Sequence, residues 1–122
     1  MRALTAIIVA AALAGAVSAT GLGVGSLSVS PSTVPLGSTF TVSGCGYPVP
    51  SAIVFEVVGP KKATPAIDYF TSGEPVGSDG CFSETWIASW SVAGAFELFS
   101  SYRDAKGTHK AAVVKFTVTA GP

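Results

Sequence analysis

The chain contains neither asparagine nor glutamine. Without asparagine it offers no acceptor for N-linked glycan, and the side chains most prone to deamidation are missing. That pattern fits a hot or acidic habitat and equally a GC-rich coding sequence. Charge is scarce as well: Asp, Glu, Lys and Arg make up 11% of the residues and sum to zero. With Arg2 set aside, Lys61, Lys62, Arg103, Lys106, Lys110 and Lys115 stand against seven acids. Composition therefore supplies no basic field of the kind that nucleic acid or an anionic lipid surface requires, and no nucleic-acid partner is expected. His109 is the sole histidine and follows the Lys106-Gly107-Thr108 turn. It is read as a solvated turn residue rather than the base of a triad. One histidine and two cysteines cannot build a zinc site. The acids are scattered, with neither the close pair of a glycosidase nor the cluster of a calcium loop. The expectation is a chain with no enzymatic activity, no catalytic residue, no cofactor and no metal.

Long apolar runs are also few. One opens the chain, Ala3 to Val17, behind Met1 and Arg2, and the small-residue sequence Val17-Ser18-Ala19 follows it. This is the pattern of an export signal cut after Ala19. The competing reading is a retained apolar helix, although the run is near the lower limit for spanning a bilayer and its alanines favour insertion weakly. Membrane attachment is expected only in that case. Residues 20–26 read as a flexible Gly-rich spacer and residues 27–120 as one domain, of an ordinary size at roughly 100 residues.

That domain is written in alternating residues. Leu27 and Val29 lead a strand that Pro31 and Pro35 break. Phe40 and Val42 alternate with Thr39, Thr41 and Ser43. Ala52 to Val58 is the most continuous apolar run, as expected near the middle of a sheet, and Gly59-Pro60 ends it. Ile67, Tyr69 and Phe70 suggest a short edge strand before the turn-rich segment Ser72 to Gly80. Phe82 to Ile87 gives another strand. Phe96, Leu98, Ser100 and Tyr102 share one parity, and so do Val114, Phe116 and Val118. Seven or eight short strands separated by turn residues are the signature of an all-β, two-sheet sandwich. Phe40, Phe55, Phe82, Phe96, Phe116 and Tyr102 fall at inward parity; Trp86 and Trp90 are not assigned.

Three segments, Ser30 to Val57, Gly77 to Ser83 and Ala93 to Val118, resemble the immunoglobulin-like modules of secreted and surface proteins of bacteria and archaea. The resemblance rests on the Pro-containing first strand, the Gly-Ser-Thr-Phe-Thr-Val strand, the Gly-Cys-Gly-Tyr turn and the Asp-Gly-Cys-Phe turn. The Ala-Gly-Ala-Phe start of the penultimate strand and the closing Phe-Thr-Val complete it. It implies an immunoglobulin-like sandwich in which Tyr47 plugs one end. It does not select a function, because such modules serve as spacers, adhesins, binders and virion decorations.

Cys45 and Cys81 stand where those modules usually carry a small polar residue. An exported chain meets an oxidising compartment, and in the strand order that the resemblance implies the two cysteines lie on neighbouring strands. A bridge at the outer side or end of one sheet is expected. The functional expectation is a secreted or surface-displayed interaction or adhesion module that contacts a protein or a surface polysaccharide. The alternative is a structural subunit of an extracellular or virion assembly. Glu97, Phe99, Ser101 and Arg103 share the outward parity of their strand, so Phe99, with Tyr69 and Phe70, forms the candidate contact surface. The segment Pro60 to Ser78 contributes Lys61, Lys62, Asp68 and Glu74 as its rim.

Overall fold

The computed structural model describes residues 17–19 and 24–121. In chain order the strands are β1 (Val17–Ala19), β2 (Leu27–Ser30), β3 (Thr33–Pro35), β4 (Thr39–Gly44), β5 (Ala52–Val58), β6 (Asp68–Phe70), β7 (Glu74–Pro75), β8 (Phe82–Ile87), β9 (Gly94–Asp104) and β10 (Gly107–Thr119). They form a four-stranded sheet in the order β1-β2-β4-β8 and a six-stranded sheet in the order β3-β10-β9-β5-β6, with β7 on the remaining part of the β5 edge. The described residues are thus all-β in two sheets, with more strands than the seven or eight expected. The additions are short: β1 on one edge, β3 beside β10, and β7 sharing the β5 edge with the expected strand β6.

Alternation drives this arrangement. On β5 the residues Ile53, Phe55 and Val57 are buried while Val54, Glu56 and Val58 are half-buried on the other side. A period of two is what a strand with one covered face requires. The inner faces of the two sheets meet in one core containing Leu27, Val29, Phe40, Phe55, Phe96 and Phe116. Phe40 and Phe116 join across it with ring centroids 5.4 Å apart. Phe82 and Tyr102, expected inside, are only partly buried and pack against the rim of the core, as do Trp86 and Trp90. After β2 the chain changes sheets, and β3 runs parallel to β10 with Val34 opposite Val118, both buried.

Tyr47 closes one end. It is 3% exposed, and its hydroxyl donates to the Ser26 carbonyl at 2.7 Å and shares a 2.9 Å hydrogen bond with Ser100 Oγ. Its ring lies so close to Gly25 that a Cβ there would sit 2.6 Å from Cε1, and Gly25 also holds a positive φ of 98°. Only glycine meets both conditions. Next to this plug, Cys45 and Cys81 are joined by a disulfide. Gly44 pairs with Phe82 at the end of the β4–β8 ladder, and the bridge closes the next position, at the end of the sheet as expected.

Val17-Ser18-Ala19, read as the end of the leader, form β1 and pair antiparallel with Val29, Ser28 and Leu27. The rest of the leader and residues 20–23 of the spacer lie outside the described residues. Within the segment Pro60 to Ser78 the expected short edge strand forms as Asp68–Phe70, and Glu74–Pro75, in the stretch read as turn-rich, adds a second; both pair with β5. The edge of β5 would otherwise expose unpaired backbone groups, and these two short strands cover it.

Candidate contact face

The outer side of the six-stranded sheet is built in cross-strand rows. Phe70 on β6 lies opposite Glu56 on β5, Glu56 opposite Phe99 on β9, and Phe99 opposite Val113 on β10. Two strand spacings separate Phe70 from Phe99, roughly 10 Å. Phe70 is 67% exposed, whereas Phe99 is half-buried between its neighbours. The row on one side holds Asp68, Val58, Glu97 and Lys115; on the other side come Val54, Ser101 and Lys110, then Ala52, Arg103 and Thr108. Phe70 and Phe99, expected together, do share this face. Tyr69 does not: it pairs with the inward residue Val57, and its hydroxyl accepts a 3.1 Å hydrogen bond from Trp90 Nε1 at the sandwich edge. Adjacent residues of a strand point to opposite sides, so Tyr69 and Phe70 cannot serve one surface.

Lys110 reaches this face through a β-bulge. Ser101 pairs with Lys110 and Ser100 with Ala112, leaving Ala111 as the extra residue. Ala111 and Ala112 are both fully buried. The bulge resets the alternation, so that Thr108 and Lys110 point outward although their numbers share the parity of the inward Val114 and Phe116.

Two grooves cut this face. One, of about 560 Å³, is lined by Val54, Glu56, Ser101, Phe70, Arg103 and Lys110 among others. The other, of about 1100 Å³, lies toward the Pro60 loop and is lined by Lys61, Lys62, Lys115 and Glu97 together with Thr64 and Ser91. Five of the six cations after Arg2 therefore line these grooves, with only Glu56 and Glu97 of the seven acids. The charge balance of the whole chain conceals this segregation. The Glu56 carboxyl titrates above its ordinary range because it shares a hydrogen bond with Asp68, helped by partial burial and the Asp68 charge and opposed by Lys110.

The outer side of the four-stranded sheet carries hydroxyls instead. Ser28, Ser43 and Ser83 form one cross-strand row and Ser30, Thr41 and Thr85 the next. Ile87, 56% exposed, is the large apolar residue on it, and no charged residue falls at outward parity in β2, β4 or β8.

His109 lies in the β9–β10 hairpin, outside both grooves. It stacks on Tyr102 at 4.8 Å and places Nε2 3.1 Å from Asp104 Oδ1. It is half-buried rather than a freely solvated turn residue. Asp104 is held below the usual carboxylate range, chiefly by the Lys106 backbone N–H and next by His109. No group of three or more potential metal ligands occurs among the described residues. No helix among them is long and apolar enough to cross a membrane.

No protein-family model matches the chain, and no curated protein is similar to it in sequence. Solved structures do resemble it. The soluble domain of PmoD from a Methylocystis species aligns over 72% of this chain and 78% of that one, at 11% identity and a TM-score of 0.49. Superoxide reductase (neelaredoxin) from Ignicoccus hospitalis aligns over 83% and 82% respectively, at 16% identity and 0.47. A lytic polysaccharide monooxygenase from Streptomyces lividans aligns over 71% and 58%, at 11% and 0.42. What they share with this chain is an all-β fold of two sheets, not a specifically immunoglobulin-like one. Two of the three are enzymes by name, contrary to the expectation that this chain is not an enzyme, and that exclusion is withdrawn.

Proposed function

We propose that the protein is an exported interaction module of immunoglobulin-like build, displayed at or released from the cell surface, that contacts its partner through the outer face of the six-stranded sheet. The observation that carries this reading is Phe70. It is 67% exposed, stands in one row with Glu56 and Phe99, and lines a groove. An aromatic ring left in water contributes little to folding, whereas covered by a partner it contributes about 1 to 2 kcal/mol. Export is supported by the Cys45–Cys81 bridge, which fits an oxidising compartment. The apolar run from Ala3 to Val17 followed by Ser18-Ala19 supports it further. Cleavage after Ala19 would take β1 with it and leave β2 as the edge of its sheet, and the intact mass of native material reports this directly.

The test of the contact face is Phe70→Ser. Purified wild type and F70S are compared for retention on envelope material from the source organism, alongside their thermal midpoints. The expected outcome is reduced retention with an unchanged midpoint. Unchanged retention of a folded F70S defeats the reading.

A further inference from the structure

We propose that the two grooves on the outer face of the six-stranded sheet form one track for an acidic polysaccharide, a chain of sugar rings bearing carboxylates. This inference rests on the contact-face reading above and names its ligand class. The first support is charge. Arg103 and Lys110 line one groove and Lys61, Lys62 and Lys115 the other, against Glu56 and Glu97 and the neighbouring Asp68. Among the described residues none of these five cations makes a direct ion pair, although Lys110 acts on the Glu56 carboxyl and Lys115 stands opposite Glu97. Cations that outnumber the carboxylates lining the grooves and make no direct ion pair remain open to an anion from outside, and the fork of Arg103 suits a carboxylate in particular.

The second support is the ground between the grooves. From the row of Arg103 to the row of Lys115 the face runs six residues along β9 and, with the bulge, seven along β10, roughly 20 Å at the rise of a strand. Along it lie Val54, Phe99, Val113 and Phe70, apolar surfaces that match the C–H faces of sugar rings. Thr71, Ser101 and Thr108 supply hydroxyls beside the first groove and Thr64 and Ser91 beside the second. A ligand that alternates apolar ring faces, hydroxyls and carboxylates meets each of these features in turn.

Other polyanions fit less well. An extended peptide gains affinity by pairing its backbone with an open strand edge, but this track crosses strand faces whose backbone is already paired within the sheet. Nucleic acid would find cations and aromatic rings, yet a disulfide-bonded chain of an oxidising compartment works among envelope and extracellular polymers.

The test titrates the purified chain by calorimetry with polygalacturonate, dextran and poly-L-glutamate. Binding of polygalacturonate is expected, weakening as salt is raised, with dextran weaker by on the order of tenfold. The double variant Arg103→Gln/Lys110→Gln is expected to lose on the order of tenfold in affinity. Lys106→Gln, at the hairpin tip outside the grooves, retains wild-type binding. Equal binding of dextran, equal or tighter binding of poly-L-glutamate, no binding of polygalacturonate, or equal losses in K106Q and the double variant each overturn the proposal. Phe70→Ser separates the two levels. If it abolishes envelope retention while the charge variants retain wild-type behaviour, the contact face stands and the acidic ligand falls. If it too has no effect, both fall.

Discussion

The two outer faces of the sandwich are made of the same kind of strand and differ in almost everything else. On the four-stranded sheet the outward positions of β2, β4 and β8 hold serine and threonine, with Ile87 at one end. On the six-stranded sheet the outward positions alternate valine, phenylalanine and charge, and the cations collect at two grooves. Solubility asks only for polar outward residues, and the hydroxyl face meets that need without charge. A solvent-exposed Phe70 and five cations gathered at two grooves go beyond that need, and the proposed contact face rests on this difference. The contrast also shows why net charge is a poor guide to partners: zero over the chain conceals an excess of cations over acids at the grooves.

The strongest probe of this contrast removes the bridge. Cys45→Ala/Cys81→Ala opens a loop of 36 residues, and the chain-entropy relation gives a loss of about 3 to 4 kcal/mol. Denaturant unfolding measures it. Because the bridge closes the β4–β8 end of the hydroxyl sheet, the folded variant should retain polygalacturonate binding; loss of binding without unfolding would link the two faces. Next in size is Tyr47→Phe, which leaves the buried Ser100 hydroxyl without its tyrosine partner and should cost about 1 to 2 kcal/mol. Its effect should likewise be on stability and not on binding. Thr85→Ala, on the hydroxyl face, should change stability by less than about 0.5 kcal/mol and association not at all. Lost association in T85A would reverse the roles of the faces.

The smallest expected effect is a pH dependence confined to the charged face. The folded chain raises the Glu56 pKa through Asp68, against the pull of Lys110. A raised folded pKa means that the contribution is fully present below the ordinary value of 4.5 and is lost as pH rises through the raised value. The stability of wild type relative to Glu56→Gln should therefore decline from pH 4 toward pH 7, measured by thermal unfolding at each pH. A difference that does not change with pH would show that the Glu56–Asp68 hydrogen bond is not made.

Much of this was legible in the sequence because alternation reports burial directly. Ile53, Phe55 and Val57, Phe96, Leu98 and Ser100, and Val114, Phe116 and Val118 are all buried as their parity required. The cysteine pairing was legible from compartment and strand order. Parity failed where the backbone changes count. The bulge at Ala111 has no marker beyond two adjacent alanines small enough to be buried together, so the outward position of Lys110, and with it half of one groove, could not be read. Tyr69 and Phe70 were ambiguous for a related reason: a three-residue edge strand carries too few residues to set its own phase, and pairing with Glu56 and Val57 sets it. The grooves gather residues from β5, β9, β10 and the Pro60 loop, a proximity that only strand order provides.

The most direct measurement is a map of backbone amide chemical-shift changes by NMR as polygalacturonate is added to the full chain. The expected result is that the changes fall on β5, β6, β9 and β10, centred on Glu56, Phe70, Phe99, Ser101 and Lys110, with β2, β4 and β8 unmoved. Changes centred on Ser43, Ser83 and Thr85 would contradict the assignment of the contact face to the six-stranded sheet.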